Sequence, residues 1–260
     1  MLSRYPRLAV AVSGGVDSMT LASVAYAVLG DKLLLVHARS PAVPSDASER
    51  VEGYARRLGW PLKLVDAGEF ADQRYLGNPV NRCYYCKSNL YARLRDVWDG
   101  PIASGANLDD LGDYRPGLVA AHEKSVVHPL IEASIDKRTV RALARHQQLG
   151  SVASLPAQPC LSSRVETGLA ISVDDLVFLH RVERYMTDVL GPGDLRCRVT
   201  AAGIRIEVAD AIKRANVDRW SAVCREVENM IAADGRELAE FSVYRRGSAF
   251  LHESEDTRDG

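Results

Sequence analysis

An apolar run, Leu8 to Val12, stops at Ser13-Gly14-Gly15-Val16-Asp17-Ser18, and a helix-forming run, Met19 to Leu29, follows at once. A strand that turns through two glycines straight into a helix leaves free backbone N–H groups converging at a helix N-terminus, and that arrangement holds an anion. Gly14 and Gly15 let the backbone approach a phosphate closely, and the Ser13 and Ser18 hydroxyls add hydrogen bonds. The loop contains no lysine, so it is not a Walker A loop, and it lacks the spacing of the dinucleotide fingerprint. The plainer alternative is a capped turn in which Asp17 or Ser18 serves only the start of the helix.

The pattern S-G-G-x-D-S resembles the PP-loop of the ATP pyrophosphatases, which split ATP into AMP and pyrophosphate while adenylating a substrate oxygen. On that resemblance Ser13, Gly14, Gly15, Val16, Asp17 and Ser18 are the ATP-binding set. Beyond Gly30, Leu33 to His37 reads as a fully buried parallel strand. Ser40 falls just past its carboxyl end, where open α/β sheets bind ligands, and is a candidate adenosine contact. A helix from Ser45 to Leu58, stopped by Gly59, and strands at Leu62 to Asp66 and Pro101 to Gly105 continue the βα alternation. The expected fold class is therefore α/β, a doubly wound, mainly parallel sheet, with a second, smaller α+β domain. That second domain is expected over 169–260, after a first domain over 1–168. Ser172 caps a helix to Leu190, Leu195 to Thr200 and Ile204 to Val208 form a hairpin, and a helix from Asp218 to Ala233 and a strand from Phe241 to Arg245 complete it. The charged tail from Glu253 to Gly260 is expected to fray.

Basic and acidic residues nearly balance, 33 against 34, which removes any bulk electrostatic reason to expect nucleic acid as a partner. The stretch Met1 to Arg7 has no apolar signal core and no run approaches membrane-spanning length, so the expectation is a cytoplasmic protein with no membrane partner. In a reducing compartment five cysteines are core, catalytic or metal-binding residues rather than a disulfide framework. Cys197 shares a strand face with Leu195 and Val199, and Cys224 lies at helical spacing with Trp220, Val227 and Ile231, which gives both a core explanation. Cys83 and Cys86 lie three apart and can direct two sulfurs at one centre, the plainer alternative being two core cysteines. Cys160 sits in a proline-braced loop with no core to fill. Three thiolates suit a 4Fe–4S iron–sulfur cluster with one iron open; zinc with His128 or His122 as fourth ligand is the competitor. The run Asp109, Asp110, Asp113 crowds three carboxylates, which magnesium–ATP would relieve and which a solvated acidic turn would also explain. Lys137, Arg138, Arg141 and Arg145, on a helix capped by Asp136, read as a solvated basic face, and Arg196 and Arg198 as either an anion fork or two exposed strand arginines.

Taken together, S-G-G-V-D-S, N-R-C-Y-Y-C-K, D-D-L-G-D-Y-R-P-G and P-C-L-S-S-R resemble the LarE family, ATP-dependent sulfur transferases of nickel-pincer (lactate racemase) cofactor biosynthesis. The resemblance runs from Leu8 to about Arg246 and implies sulfur insertion into a pyridinium-3,5-biscarboxylic acid mononucleotide, whose carboxylates become thiocarboxylates. It is closest to the three-cysteine, iron–sulfur members, with Cys83, Cys86 and Cys160 as metal ligands and catalytic residues. It further implies Lys87 as a stabiliser of developing charge, Ser40, Asp110 and Asp113 in ATP binding, and Glu132, Ser163, Arg164, Arg196 and Arg198 in substrate binding. Its other implications are ATP, Mg2+ and the cluster as cofactors, an unidentified sulfide donor, and a homo-oligomer, a hexamer by resemblance. The segment Val165-Glu166-Thr167-Gly168 departs from the aromatic-containing run expected after Arg164. The alternatives are a tRNA thiolase of the same superfamily, an amide-forming ligase of the NAD or GMP synthetase type, and a nucleotide-binding regulator with a zinc staple.

Overall fold

Strand and helix alternate from Leu8 onward, as the apolar runs require. The computed structural model describes residues 1–112 and 115–245; Asp113 and the tail from Glu253 to Gly260 lie outside the described residues. The chain divides into two compact units, one of Met1–Tyr75 with Asn81–Gln158, the other of Leu76–Val80 with Pro159–Gly260.

In the first unit the elements are β1 (Leu8–Ala11), α1 (Val16–Leu29), β2 (Leu33–Arg39), α2 (Ser45–Leu58), β3 (Leu62–Asp66), the short α3 (Gln73–Leu76, whose last residue belongs to the second unit), α4 (Arg82–Val97), β4 (Ile102–Ala103), α5 (Pro116–Glu123), β5 (Val126–Val127), the single turn α6 (Pro129–Glu132) and α7 (Lys137–His146). All five strands are parallel, in the order β3-β2-β1-β4-β5, with Leu8 opposite Leu33 and Ala9 opposite Ile102. The chain order reverses between β1 and β4, the switch point at which open α/β sheets bind their ligands. Strand periodicity sends Leu8 and Val10 to one face, with Met19, Leu21 and Ala25 of α1 and Val140 and Ala144 of α7. Ala9 and Ile102 face the other way, toward Tyr91 and Leu94 of α4 and Ala121 of α5. Both faces are covered, so this is a doubly wound sheet of the PP-loop type.

α2 begins and ends where Gly59, at φ +69°, and the apolar spacing place it, and it buries Ala47, Val51 and Ala55 on one stripe. β4 and β5 are only two residues long. A strand that short carries no period, which is why Val126–Val127 has no signature in the sequence.

The second unit contains α8 (Val173–Leu190), β6 (Leu195–Thr200), β7 (Gly203–Val208), α9 (Asp210–Ala215), α10 (Val217–Ala233) and β8 (Leu238–Val243). β6 and β7 form the expected antiparallel hairpin, and β8 joins β7 in parallel. β8 starts three residues before the expected Phe241, because its early residues are exposed and show no clean alternation. Ser172 caps α8 by accepting the Asp175 N–H, and Phe178, Leu179, Val182 and Met186 of α8 are fully buried. Cys197 is in the core, whereas Cys224 lies on the flank of the buried Val223, Val227 and Ile231 stripe and is partly exposed. The separate segment Leu76–Val80 belongs to this unit through Asn78, which is fully buried at φ +50°. Its amide donates to the Val165 and Glu166 carbonyls, and its own carbonyl accepts the Gly168 N–H.

Candidate active site

The Ser13–Ser18 loop leaves β1 at the switch point and enters α1 with Gly15 as the residue before the first turn. Gly14 has φ +83°, and a Cβ there would lie 2.6 Å from the Ala47 carbonyl oxygen of α2, so glycine is required for both conformation and space. Gly105, at the end of β4, fits against the start of α1, where a Cβ would meet the Ser18 nitrogen at 2.7 Å. The Ser18 hydroxyl is buried and braces the loop from within. It accepts the Ser13 N–H at 3.1 Å, lies 3.1 Å from the Ser13 hydroxyl and donates to the Gly15 carbonyl at 3.3 Å.

Asp17 is part of a network. Its carboxylate pairs with the Lys137 ammonium at 2.5 Å and accepts from the Asn107 amide at 3.2 Å. Asn107 N–H donates to Asp110, Asp109 N–H donates to the Asn107 side chain, and Lys137 N–H donates to Asp109. Arg115 pairs with Asp110 at 2.9 Å. Asp17 and Asp110, both expected at the ATP site, are thus brought together, and Asn107 and Lys137 join them. Sequence reading placed Lys137 on a solvated face; the overlooked signal was its position as the first residue after the Asp136 cap. That cap is present, with the Asp136 carboxylate accepting the Thr139 N–H at 2.7 Å, and the same contact holds the carboxyl below its usual range. Arg141 of the same helix donates to the Ala153 and Leu155 carbonyls and ties down the following loop.

The Ser40 hydroxyl donates a hydrogen bond to the buried Glu69 carboxylate and accepts the Ala42 N–H, so it shapes the β2–α2 connection. The second Glu69 oxygen has no hydrogen-bond partner among the described residues. His128 lies 2.8 Å from the Ser104 hydroxyl, and burial pushes its pKa down against the opposing charges of Glu132 and Asp110. Glu132 itself pairs with Arg4.

Cys83 and Cys86 occupy the first turn of α4, one exposed and the other partly so, and their spacing puts both on one side of the helix. Lys87 follows, with its ammonium 5.9 Å from the centre of the Tyr91 ring and its stem against Gly117 of α5.

Cys160 opens the second unit's loop and is partly exposed. Its carbonyl accepts from the Ser163 N–H, the Ser163 hydroxyl and the Arg164 guanidinium. Arg164 is buried, bonds the Pro159 carbonyl at 2.8 Å and forms a two-pronged ion pair with Glu183. Arg198 is buried as well, paired with Glu207 at 2.8 Å and donating to the Ser163 carbonyl at 3.0 Å. It is therefore not a surface arginine. Arg196 differs from both. It is half-buried over the Tyr244 ring, makes no ion pair among the described residues, and has its pKa lowered by burial and by the charge of Arg164. A desolvated cation next to a second cation attracts an anion. Glu183 and Glu207, which hold two of the three arginines, have no signature in the sequence. Within each unit taken alone, no three His, Cys, Asp or Glu side chains gather as metal ligands among the described residues.

Among the described residues no helix is long and apolar enough to cross a membrane. No family model matches the chain. Individual relatives do. An uncharacterized protein of Synechocystis is 40% identical over 207 residues, covering 78% of this chain and 76% of the relative. The pyridinium-3,5-bisthiocarboxylic acid mononucleotide synthase of Lactiplantibacillus plantarum is 31% identical over 216 residues, covering 81% of this chain and 77% of the synthase. An uncharacterized protein of Methanocaldococcus jannaschii is 24% identical over 212 residues, or 80% of each chain. With a phosphate loop at the switch point of a parallel sheet and a synthase relative aligned over most of both chains, the protein belongs to the LarE family.

Proposed function

We propose that the protein is an ATP-dependent sulfur transferase that converts the carboxylates of a pyridinium-3,5-biscarboxylic acid mononucleotide to thiocarboxylates. The observation that carries this reading is the Ser13–Ser18 loop with the Lys137–Asp17–Asn107 network beside it, in a chain 31% identical to a bisthiocarboxylic acid mononucleotide synthase. A carboxylate oxygen is a poor leaving group. In adenylation it attacks the α-phosphorus of ATP, the bond to the bridging oxygen breaks and pyrophosphate departs. Attack by sulfur on the activated carbon then expels AMP.

Backbone donors at the start of α1 and the Lys137 ammonium would hold the departing pyrophosphate, while Asp17 and Asp110 would take Mg2+. Lys87, next to Cys86, would offset negative charge developing at the substrate. Arg196 would bind the substrate's phosphate or carboxylate, with Arg164 and Arg198 fixed behind it by Glu183 and Glu207. Ser163 and Arg164 would hold the Cys160 turn in shape. The roles of Ser40 and Glu132 on this reading are indirect, through the β2–α2 connection and the Arg4 pair.

Cys83, Cys86 and Cys160 are thiols outside any disulfide, at least partly exposed, and a soft donor set of this kind would suit a 4Fe–4S cluster with three protein ligands. When bound, the cluster supplies an open iron able to carry sulfide. The protein is further proposed to act in the cytoplasm as a homo-oligomer, a hexamer by family resemblance, which light scattering would check.

The deciding experiment is anaerobic incubation of the protein with the mononucleotide, MgATP and sulfide, with tRNA as the parallel substrate. Thiocarboxylate formation with stoichiometric AMP and pyrophosphate is expected. Thiolated tRNA instead would overturn the substrate assignment, and colourless protein carrying one zinc would overturn the cluster.

A further inference from the structure

A phosphate loop binds only if its N–H groups point inward, and in a planar trans peptide the N–H of one residue points opposite to the carbonyl before it. Two carbonyls of this loop are held from outside. The Val12 carbonyl accepts from His37 Nδ1 at 2.7 Å, and the Gly14 carbonyl accepts from Arg50 Nη1 at 3.0 Å. The first contact directs the Ser13 N–H toward the Ser18 hydroxyl, where it is bonded at 3.1 Å. The second directs the Gly15 N–H away from α2, and that N–H has no acceptor among the described residues.

Each of the two side chains is itself fixed to α2. His37 is buried on β2 and its Nε2 lies 2.8 Å from the Ser48 hydroxyl. Arg50 bonds Asp46 at 2.9 Å and the Gln158 side chain at 3.2 Å. Between them the Ala47 carbonyl closes against Gly14, the position a Cβ would occupy. α2 thereby braces the loop from behind, directly through Arg50 at the Gly14–Gly15 peptide and by way of His37 of β2 at the Val12–Ser13 peptide.

We infer that His37 and Arg50 are positioning residues of the ATP site: they set the peptide planes of the phosphate loop and aim the Gly15 N–H at the pyrophosphate portion of the nucleotide. The inference rests on the reading of the loop as an ATP site. Arg50 acts through the Gly14 carbonyl, so its charge is not a phosphate contact, and His37 acts through the Val12 carbonyl in the same way. Without Arg50 the Gly14–Gly15 peptide is free to turn over, because glycine accepts both orientations, and without His37 the Val12–Ser13 peptide at the loop's entry loses its fixed plane.

The test is calorimetric binding of inorganic pyrophosphate, MgATP and adenosine to the full-length protein across a salt series. Arg50→Met and His37→Leu are each expected to weaken pyrophosphate and MgATP binding roughly tenfold, about the effect of one well-placed hydrogen bond, with adenosine binding unmoved. His37→Asn keeps an N–H donor near the position of Nδ1 and is expected to stay within about threefold of wild type. The salt dependence of pyrophosphate binding should be the same in Arg50→Met as in wild type, since no phosphate-binding charge is lost. Wild-type affinity in both Arg50→Met and His37→Leu overturns the inference, and so does a flattened salt dependence in Arg50→Met, which would make Arg50 a direct phosphate ligand. If His37→Leu fails to give a cooperative melt, Arg50→Met decides alone. Wild-type protein that binds neither pyrophosphate nor MgATP overturns this inference and the adenylation reading together. Wild-type binding without thiocarboxylate formation touches only the proposed function.

Discussion

Lys137 is half-exposed and sits at the first position of its helix, yet it pairs with the phosphate loop's aspartate. A bound triphosphate would compete with Asp17 for the same ammonium. Lys137→Met is expected to raise KM for MgATP by roughly 10- to 100-fold, the range for loss of a charge-assisted hydrogen bond, as read from pyrophosphate release. A second residue-scale prediction concerns pH. Burial lowers the pKa of both His37 and His128 in the folded protein. As pH falls below about 6.5 the unfolded chain takes up protons that these folded imidazoles refuse, so stability declines and continues to decline until pH has passed below the folded values. The melting temperature should therefore drop between pH 7.5 and pH 5.5, and His37→Asn should lose part of that drop. Identity was legible at this scale but orientation was not. The serines of the loop, Ser40, Arg164 and Arg198 were all singled out from sequence. Yet Ser18 turns into its own loop, Ser40 to Glu69, Arg164 to Glu183 of α8 and Arg198 to Glu207 across its hairpin, and such pairings depend on how the elements pack.

α2 and α8 were readable in full from spacing and caps, because each combines a long apolar stripe with a strong stop or start. α5, β5 and α6 had no such signal, being too short to display a period. The caps also separate structure from chemistry. Ser172→Ala removes the cap of α8 and should cost about 1 kcal/mol in urea denaturation, with MgATP binding unchanged. Asp136→Ala removes the corresponding cap of α7 and should in addition weaken MgATP binding, because Lys137 is the next residue and loses its fixed backbone. Equal MgATP affinity in the two variants would show that the start of α7 plays no part at the loop. The first turn of α4 makes a further prediction: Cys83→Ser and Cys86→Ser should each lower bound iron after anaerobic reconstitution while leaving pyrophosphate binding intact. Loss of pyrophosphate binding in those variants would contradict the separation of the two chemistries.

At the scale of the whole chain, the doubly wound sheet followed from one loop and the strands behind it, since a strand, phosphate loop and helix in that order place the loop at a switch point. The units were harder to read. A linear division near Gly168 has no means of assigning Leu76–Val80, which lies deep inside the first unit's sequence but is part of the second. The segment has no periodicity, and its membership rests on Asn78, a buried residue with left-handed backbone, and on the Leu76 carbonyl, which accepts the Ile171 N–H. A fragment beginning at Pro159 should therefore lack a cooperative thermal transition by circular dichroism. Addition of a peptide spanning 76–80 should restore some of it.

Asn78 also bears on the order of events during synthesis. It leaves the ribosome well before Val165, Glu166 and Gly168, the residues whose backbone it bonds. An amino-terminal region normally folds as soon as it is complete, but here the parallel sheet can close by Gln158 while the segment from Leu76 to Val80 must stay open. The nascent chain thus carries, early in its length, a stretch whose bonding partners are made only after the first unit is complete.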